Sequence, residues 1–240
     1  MAFEGIKTQM FRQSIKEVST TQKEALGTLR ILDDGRKFRY GKNGATPLTH
    51  AGLLVQALGI TANHQNMAVA TVAAGKTTIV PTLGASLVAA NYYAEGFLQV
   101  YDGGTHIGAQ YKVTGNAAAD SGAAVQVYLD EPLIEALTNG THNVSLVPSQ
   151  HTGLVVATAV AQPIVGVTVR PMAANVYGWF QTGGVATVDM HTTTALGHLL
   201  VPAAAGRSTT GDGYTAPFIG YKLGVAGVAQ KAGAAYLTID

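Results

Sequence analysis

Cysteine is absent from the 240-residue chain, which excludes disulfides and thiolate metal sites. Charged residues are scarce: they make up 12% of the chain, against about 25% in an ordinary soluble domain. Aromatic residues contribute only 7%, although hydrophobic residues together reach 47%. Such a chain has few groups for acid–base catalysis or metal binding. Its surface must consist largely of small uncharged residues, and its net charge of only +1 favours association with other proteins.

Long hydrophobic runs are missing as well. No stretch approaches the roughly 18 consecutive apolar residues that a membrane-spanning helix needs, so we expect no contact with a membrane. The opening residues, MAFEGIKTQMFRQ, contain no apolar core of signal-peptide length.

The basic residues are concentrated near the N-terminus. The first 42 residues hold nine of the fifteen Lys and Arg residues and five acidic ones, a balance of +4, whereas the rest of the chain carries −3. We therefore predict an extended basic N-terminal arm, followed by a mildly acidic body. Such an arm either binds an acidic surface or nucleic acid, or is a solvated terminus.

Residues 28–40 predict a β-hairpin. Asp34-Gly35 separates two alternating runs, and Gly accepts the positive φ that tight hairpin turns need. In the second strand, Phe38 and Tyr40 share one face, while Lys37 and Arg39 share the other. One face of this strand is thus aromatic and the other cationic.

From about residue 66, short Val-, Thr- and Tyr-rich runs alternate with Gly, Asn and Pro every 8 to 12 residues. This spacing predicts a mainly β fold of small barrel-like, β-tulip-like or sandwich domains. Helix is expected at 84–93 and 131–137, a short helix is a further possibility at 11–25, and residues 48–58 read as a helix or a strand. A polar, Gly-containing stretch at 148–153 suggests a boundary. We divide the chain into an arm (1–60), a first β domain (61–148) and a second β domain (149–240).

Motifs for catalysis and cofactor binding are incomplete. Gly75-Lys76-Thr77 resembles the end of a phosphate-binding loop, but the β-branched residues and proline that follow favour a strand over the required helix. Asp189, His191 and His198 are the nearest approach to a metal-ligand group, and a surface turn is the competing interpretation. We expect no enzymatic activity, no cofactor and no metal.

Two regions of the sequence resemble virion proteins of tailed bacteriophages. The stretch from Asp34 to Gly44 resembles a segment found in proteins encoded beside capsid genes. The last 77 residues resemble the head-decoration (cement) proteins of lambdoid phages, through the motifs IVGV, YGWFQ with GGVA, GHLLVP, IGY and YLTI.

The resemblance implies a compact β-tulip fold, a homotrimer, and a position at three-fold points on the outside of the capsid. The expected partner is the major capsid protein, whose capsomers the protein would bridge. We expect cations of the arm to face an acidic capsid surface, and Phe38 and Tyr40 to anchor the arm, with strand addition to a capsid-protein edge. The predicted contact residues are Arg30, Arg36, Lys37, Phe38, Arg39, Tyr40 and Lys42.

Two other functions stay open from the sequence. One is a different structural role in the virion, as a head fibre, major capsid subunit or tail-tube protein. The other is a surface-glycan-binding module, suggested by Tyr92, Tyr93, Tyr101 and Trp179. We do not expect nucleic acid as a partner, because Arg36 to Tyr40 is the only segment that interleaves basic and aromatic residues.

Overall fold

The computed structural model describes residues 11–102, 106–158, 162–192, 196–211, 217–224 and 231–240. Strand accounts for 42% and helix for 3%, in two curled, half-barrel sheets. The predicted class, mainly β with barrel-like or sandwich domains, is therefore confirmed. None of the helical segments in the described ranges has the length and apolarity to cross a membrane.

Sixteen strands are seen in the described ranges. In chain order they are β1 (Leu29–Ile31), β2 (Lys37–Lys42), β3 (Leu54–Gln56), β4 (Met67–Ala68), β5 (Thr78–Ile79), β6 (Phe97–Asp102), β7 (Gln110–Asn116), β8 (Val127–Leu129), β9 (Asn143–Val147), β10 (Val155–Val156), β11 (Ile164–Thr168), β12 (Tyr177–Asp189), β13 (Leu199–Pro202), β14 (Ser208–Thr210), β15 (Gly220–Lys222) and β16 (Ala232–Thr238). Short 3-10 turns lie at Ala62–His64 and Ala204–Gly206.

Contacts divide the chain into two compact units. The inserted unit is Leu58–Gln150, and the split unit consists of the described residues of Met1–Ala57 and His151–Asp240. Both changes of unit occur close to the predicted boundaries at 60 and 148. The structure differs from the predicted division in one respect: the N-terminal arm is not a separate element, because its β-hairpin pairs with β12 of the split unit.

The split unit contains a ten-stranded sheet in the order β10-β3-β11-β12-β16-β15-β13-β14, with β2 also paired to β12 and β1 paired to β2. Strand β12 is the longest at 13 residues. Its residues Tyr177–Gly183 pair with β2, and Gly183–Asp189 pair with β16. Bridges between Met190 and Ser208, and between Asn43 and Leu154, curl the two ends of the sheet back on itself.

Alternating burial on the second half of β12 and on β16 directs one set of side chains into the core. Ala186, Val188, Ala235 and Leu237 are buried, whereas Val185 and the other intervening residues are exposed. This alternation is the period-2 pattern expected of a sheet with one solvated face. Burying so many Val, Leu, Ile and Met side chains is the main source of the unit's stability.

The inserted unit holds a six-stranded sheet in the order β4-β9-β6-β7-β8-β5. The two end strands continue into segments that meet at the Val69–Pro81 bridge, where Ala70 donates its N–H to the Val80 carbonyl at 3.0 Å. Closing a sheet in this way leaves few unpaired edges. Its own apolar core includes Tyr93, Leu98 and Leu146.

Two predicted helices are wrong. Residues 84–93 and 131–137 form turns and isolated bridges, with Val88 paired to Ala119 and Val72 to Leu137. In the ambiguous segment 48–58, residues Leu54–Gln56 form strand β3. Residues 84–93 and 131–137 have the apolar content of a helix. In each of them, however, a single apolar residue forms an isolated bridge that helps to close the sheet of the inserted unit.

Candidate partner-binding surface

The predicted hairpin forms as expected. Arg30 pairs with Phe38 and Ile31 with Lys37, and Gly35 adopts a φ of 80° in the turn. The Asp34 carboxylate accepts the N–H of Arg36 at 3.1 Å, which closes the turn from within. Strand β2 is paired on both sides, by β1 and by β12. In this fold, β2 therefore has no free edge to offer to a capsid protein.

Phe38 and Tyr40 lie completely inside the split unit, together with Trp179. The rings of Tyr40 and Trp179 meet edge to face at 5.2 Å. The Tyr40 hydroxyl donates to the Gln13 side-chain oxygen at 2.7 Å and accepts the N–H of Lys23 at 3.0 Å. Burial raises the pKa of Tyr40. Both aromatic residues anchor the hairpin to its own sheet, so neither ring is available to a partner.

Lys37 and Arg39 bind the last residue of the chain. The Arg39 guanidinium contacts both carboxylate oxygens of Asp240, and the Lys37 ammonium donates to the Asp240 backbone carbonyl at 3.0 Å. This pairing raises the pKa of Arg39 and lowers the pKa of the Asp240 carboxyl. Burial, and then the nearby Arg39 charge, lower the pKa of His151. These two cations of the hairpin are therefore used to hold the C-terminal strand.

The other predicted contact cations also have partners within the chain. Arg30 donates to the Gln13 carbonyl at 3.0 Å and lies over the Phe11 ring at 4.6 Å. Lys42 lies 5.3 Å from the centre of the Tyr177 ring. Arg36 pairs with Asp34 at 2.7 Å, and the two side chains are 39% and 52% exposed, respectively. Arg36 is thus a predicted contact residue whose charge is still partly open to solvent.

The residues considered for chemistry do not form a reactive group. Asp189 is buried and contacts His50 at 3.2 Å and Arg207 at 3.4 Å, while His191 and His198 lie exposed in separate positions. In the ranges that the structure describes, no three His, Asp or Glu side chains are grouped as metal ligands. Lys76 is followed by strand β5, as expected.

The aromatic residues that suggested glycan binding are not gathered into a platform. Tyr93 and Trp179 are buried in the cores of different units, and Tyr92 is half-buried against the first of these cores. Tyr101 is 60% exposed. A sugar ring can therefore stack on Tyr101 of this set, but not on the group as a whole.

An exposed apolar row crosses three neighbouring strands of the split unit. Val185 on β12 pairs with Tyr236 on β16, and Tyr236 pairs with Tyr221 on β15. These side chains are 57%, 46% and 42% exposed, respectively. Phe218 extends the row by an edge-to-face contact with Tyr221 at 5.0 Å. Adjacent large apolar side chains on a solvated sheet face are typical of protein-binding surfaces. We call these four residues the apolar row.

A groove of about 290 Å³ begins beside Val185. It runs along β12, and Val185, Thr187 and Ala234 form part of its lining. Lys16 and Arg36 are the charged residues in the described part of the lining. The groove and the apolar row thus share Val185, and together they form the candidate partner-binding surface.

Sequence reasoning did not find this surface. In the segment Ala235–Ile239, every residue but Thr238 is apolar, so the pattern does not show which face is solvated. One signal could have revealed it: an aromatic residue that follows small Ala and Gly residues in the same strand. Small neighbours leave a large ring uncovered, as at Tyr236.

Comparison with known proteins gives no relative. No protein-family model, curated protein or solved structure matches this chain.

Proposed function

We propose that this chain is a structural protein of a tailed-phage virion that binds the outside of the capsid and stabilises it by bridging capsomers, without catalysing a reaction. The observation that carries the proposal is the apolar row, which lies in the same unit as the segments that resemble head-decoration proteins. A row of large apolar side chains on a lightly charged sheet suits a protein that works by covering another surface.

The resembling segments lie next to one another in the fold. IVGV is in β11, YGWFQ and GGVA are both in β12, and YLTI begins in β16. LLVP forms β13, and IGY leads into β15. These strands are neighbours in the order β11-β12-β16-β15-β13. The motifs that suggested the family therefore build one continuous surface, which supports treating them as a unit.

The contribution of the apolar row to binding follows from its area. Burying apolar surface stabilises an interface by about 25 cal/mol per Å² before association costs are subtracted. Each bound copy adds one such contribution, so the stabilisation of the shell grows with the number of copies bound. We propose the major capsid protein as the partner and a homotrimer as the binding form.

The structure changes the role that the hairpin has in this proposal. Because Phe38 and Tyr40 are buried and β2 is paired on both sides, the hairpin supports the surface and does not extend to a neighbour. Arg36 remains the hairpin residue best placed to meet an acidic capsid surface. Removal of residues 1–45 would disrupt the split unit, so substitutions of exposed residues are the sharper test.

Cosedimentation with capsids tests the proposal. Capsids of the virus whose genome encodes this chain, prepared without the chain, are mixed with purified protein and pelleted. We expect the wild-type chain to pellet with the capsids and Tyr236→Ser to bind much less, because the row loses its central ring. Tyr101→Ser, at an exposed tyrosine of the inserted unit, is the matched control and should bind normally. Absence of wild-type protein from the pellet contradicts the proposal.

The same preparation separates the alternatives. A head-fibre protein would pellet with capsids but would form fibres that project from the head, and a tail-tube protein would be found in tails and not on capsids. A glycan-binding module would bind immobilised polysaccharide, and would lose that binding in Tyr101→Ser and not in Tyr236→Ser.

A further inference from the structure

One edge of β12 is left without a strand partner. On the side of β12 that pairs with β2, the ladder stops at Gly183, which is paired with Lys37, whereas the opposite side passes from β11 to β16. Backbone contact resumes at Asp189, whose N–H donates to the Gly52 carbonyl at 2.9 Å. Between these two points, within the described residues, no strand pairs with this edge. The groove beside Val185 lies along this stretch.

A side chain of the same strand covers part of the open edge. The Gln181 amide donates to the Gly183 carbonyl at 3.1 Å and to the Val185 carbonyl at 2.8 Å. Carbonyl groups that a neighbouring strand would normally bind are therefore held by a side-chain amide. The N–H of Val185 points in the same direction as its carbonyl, as it does in any extended strand. The groove therefore presents backbone groups as well as side chains.

The charge of the groove selects the kind of occupant. Lys16 is exposed and Arg36 is partly exposed, and the described lining contains no carboxylate. Asp34 is an acidic residue of the adjacent hairpin turn, and its carboxylate lies 2.7 Å from the Arg36 guanidinium. This contact shows that the Arg36 guanidinium can bind a carboxylate. The volume of about 290 Å³ is just below the roughly 300–1,000 Å³ of ligand sites. A few residues of extended chain fit, and a folded element does not.

We propose that this groove binds a short, extended, acidic segment of the partner protein, with carboxylates on Lys16 and Arg36 and the backbone along the open edge of β12. Apolar side chains of the segment then reach Val185 and the rest of the apolar row. The inference rests on the proposed function, because it names the chemistry of the partner at the same surface.

The test uses a blocked peptide of sequence EVEVE, with QVQVQ and KVKVK as charge controls, added to isotope-labelled full-length protein. We expect EVEVE at millimolar concentration to shift the amide resonances of Val185 and Thr187. We expect QVQVQ to bind more weakly and KVKVK not at all, and added salt to weaken EVEVE, because exposed charges are screened.

Two variants locate the contact. Lys16→Ala should lower the affinity for EVEVE by roughly two- to fivefold, the usual effect of losing an exposed ion pair. Lys112→Ala, an exposed lysine of the inserted unit, should leave it unchanged. Equal binding of EVEVE and QVQVQ, or no shift at Val185 and Thr187, overturns the inference. If the peptide fails while the protein still pellets with capsids, the groove inference is refuted and the proposed function is not.

Discussion

Gln13 is a buried residue that ties the N-terminal segment to the rest of the split unit. It is 1% exposed, and its amide nitrogen donates to the carbonyls of Glu17 at 2.8 Å and Tyr177 at 3.2 Å. Its side-chain oxygen accepts the Tyr40 hydroxyl at 2.7 Å. The substitution Gln13→Ala removes all three hydrogen bonds and leaves buried polar groups unpaired. Each such bond is worth about 0.5–1.5 kcal/mol, so the free energy of unfolding should fall by roughly 2–4 kcal/mol.

The chain provides its own probe for this measurement. Trp179 is the single tryptophan and its indole N–H donates to the Gln13 backbone carbonyl at 3.1 Å, so its fluorescence reports on the split unit. A urea titration with a slope of about 2 kcal/mol per M should show a midpoint roughly 1–2 M lower for Gln13→Ala. Gln65→Ala, at an exposed glutamine, should change stability by less than about 0.5 kcal/mol. A Gln13→Ala midpoint equal to that of this control would refute the reasoning.

Three further predictions concern charge, backbone and binding. The pKa of Asp240 is lowered by its ion pair, so the stability from that pair is present above the unfolded-state pKa and is lost as pH falls through the folded-state pKa. In unfolding titrations between about pH 5 and 2, the free energy of unfolding of Asp240→Asn should fall by roughly 0.5–1 kcal/mol less than that of the wild-type chain. Gly220 has a φ of 153°, and an added Cβ would lie 2.0 Å from a backbone oxygen, whereas a Cβ at Gly35 meets nothing within 4 Å. Gly220→Ala should prevent folding or cost several kcal/mol, and Gly35→Ala should cost about 1–2 kcal/mol; similar losses in the two variants would count against the steric clash at Gly220 as the cause. Val185→Ser should reduce capsid binding without lowering the thermal midpoint by more than about 2 °C, and a matching loss of stability would show that Val185 supports the fold instead.

The elements that follow from local pattern were predictable. The Asp34-Gly35 turn and the opposite faces of Lys37 and Phe38 follow from turn chemistry and from the period of a strand. The strands around residues 97, 143 and 164 follow from their β-branched and apolar runs. In each case the deciding interactions lie within a few residues of one another.

Features that depend on distant parts of the chain were not predictable. The course of strand β12 is one such feature, because a Gly-Gly pair such as Gly183-Gly184 is typical of a turn. The structure continues the strand through these glycines, since a side chain at either would meet the hairpin around Arg36 and Lys37. The two glycines allow the backbone of β12 to lie close to the hairpin. This role can be recognised only when the strand pairing is known.

The candidate surface was missed for a related reason. The sequence predicted that the basic residues of the hairpin belong to a free arm. It does not show that Asp240 binds Arg39 or that the Gln13 side chain accepts a hydrogen bond from the Tyr40 hydroxyl. Once these long-range contacts are made, much of the hairpin's charge is used internally. The surface that remains available is defined by Val185, Tyr236 and Tyr221, which become neighbours only through strand order.

Reconstruction of the intact particle by electron cryomicroscopy tests the central claim most directly. The proposed role predicts density for the split unit on the outer surface of a tailed-phage head at three-fold positions, with the apolar row against the capsid protein or a neighbouring copy. A particle whose outer head surface carries no density for this chain, or in which the chain lies in the tail or is absent, would contradict the account.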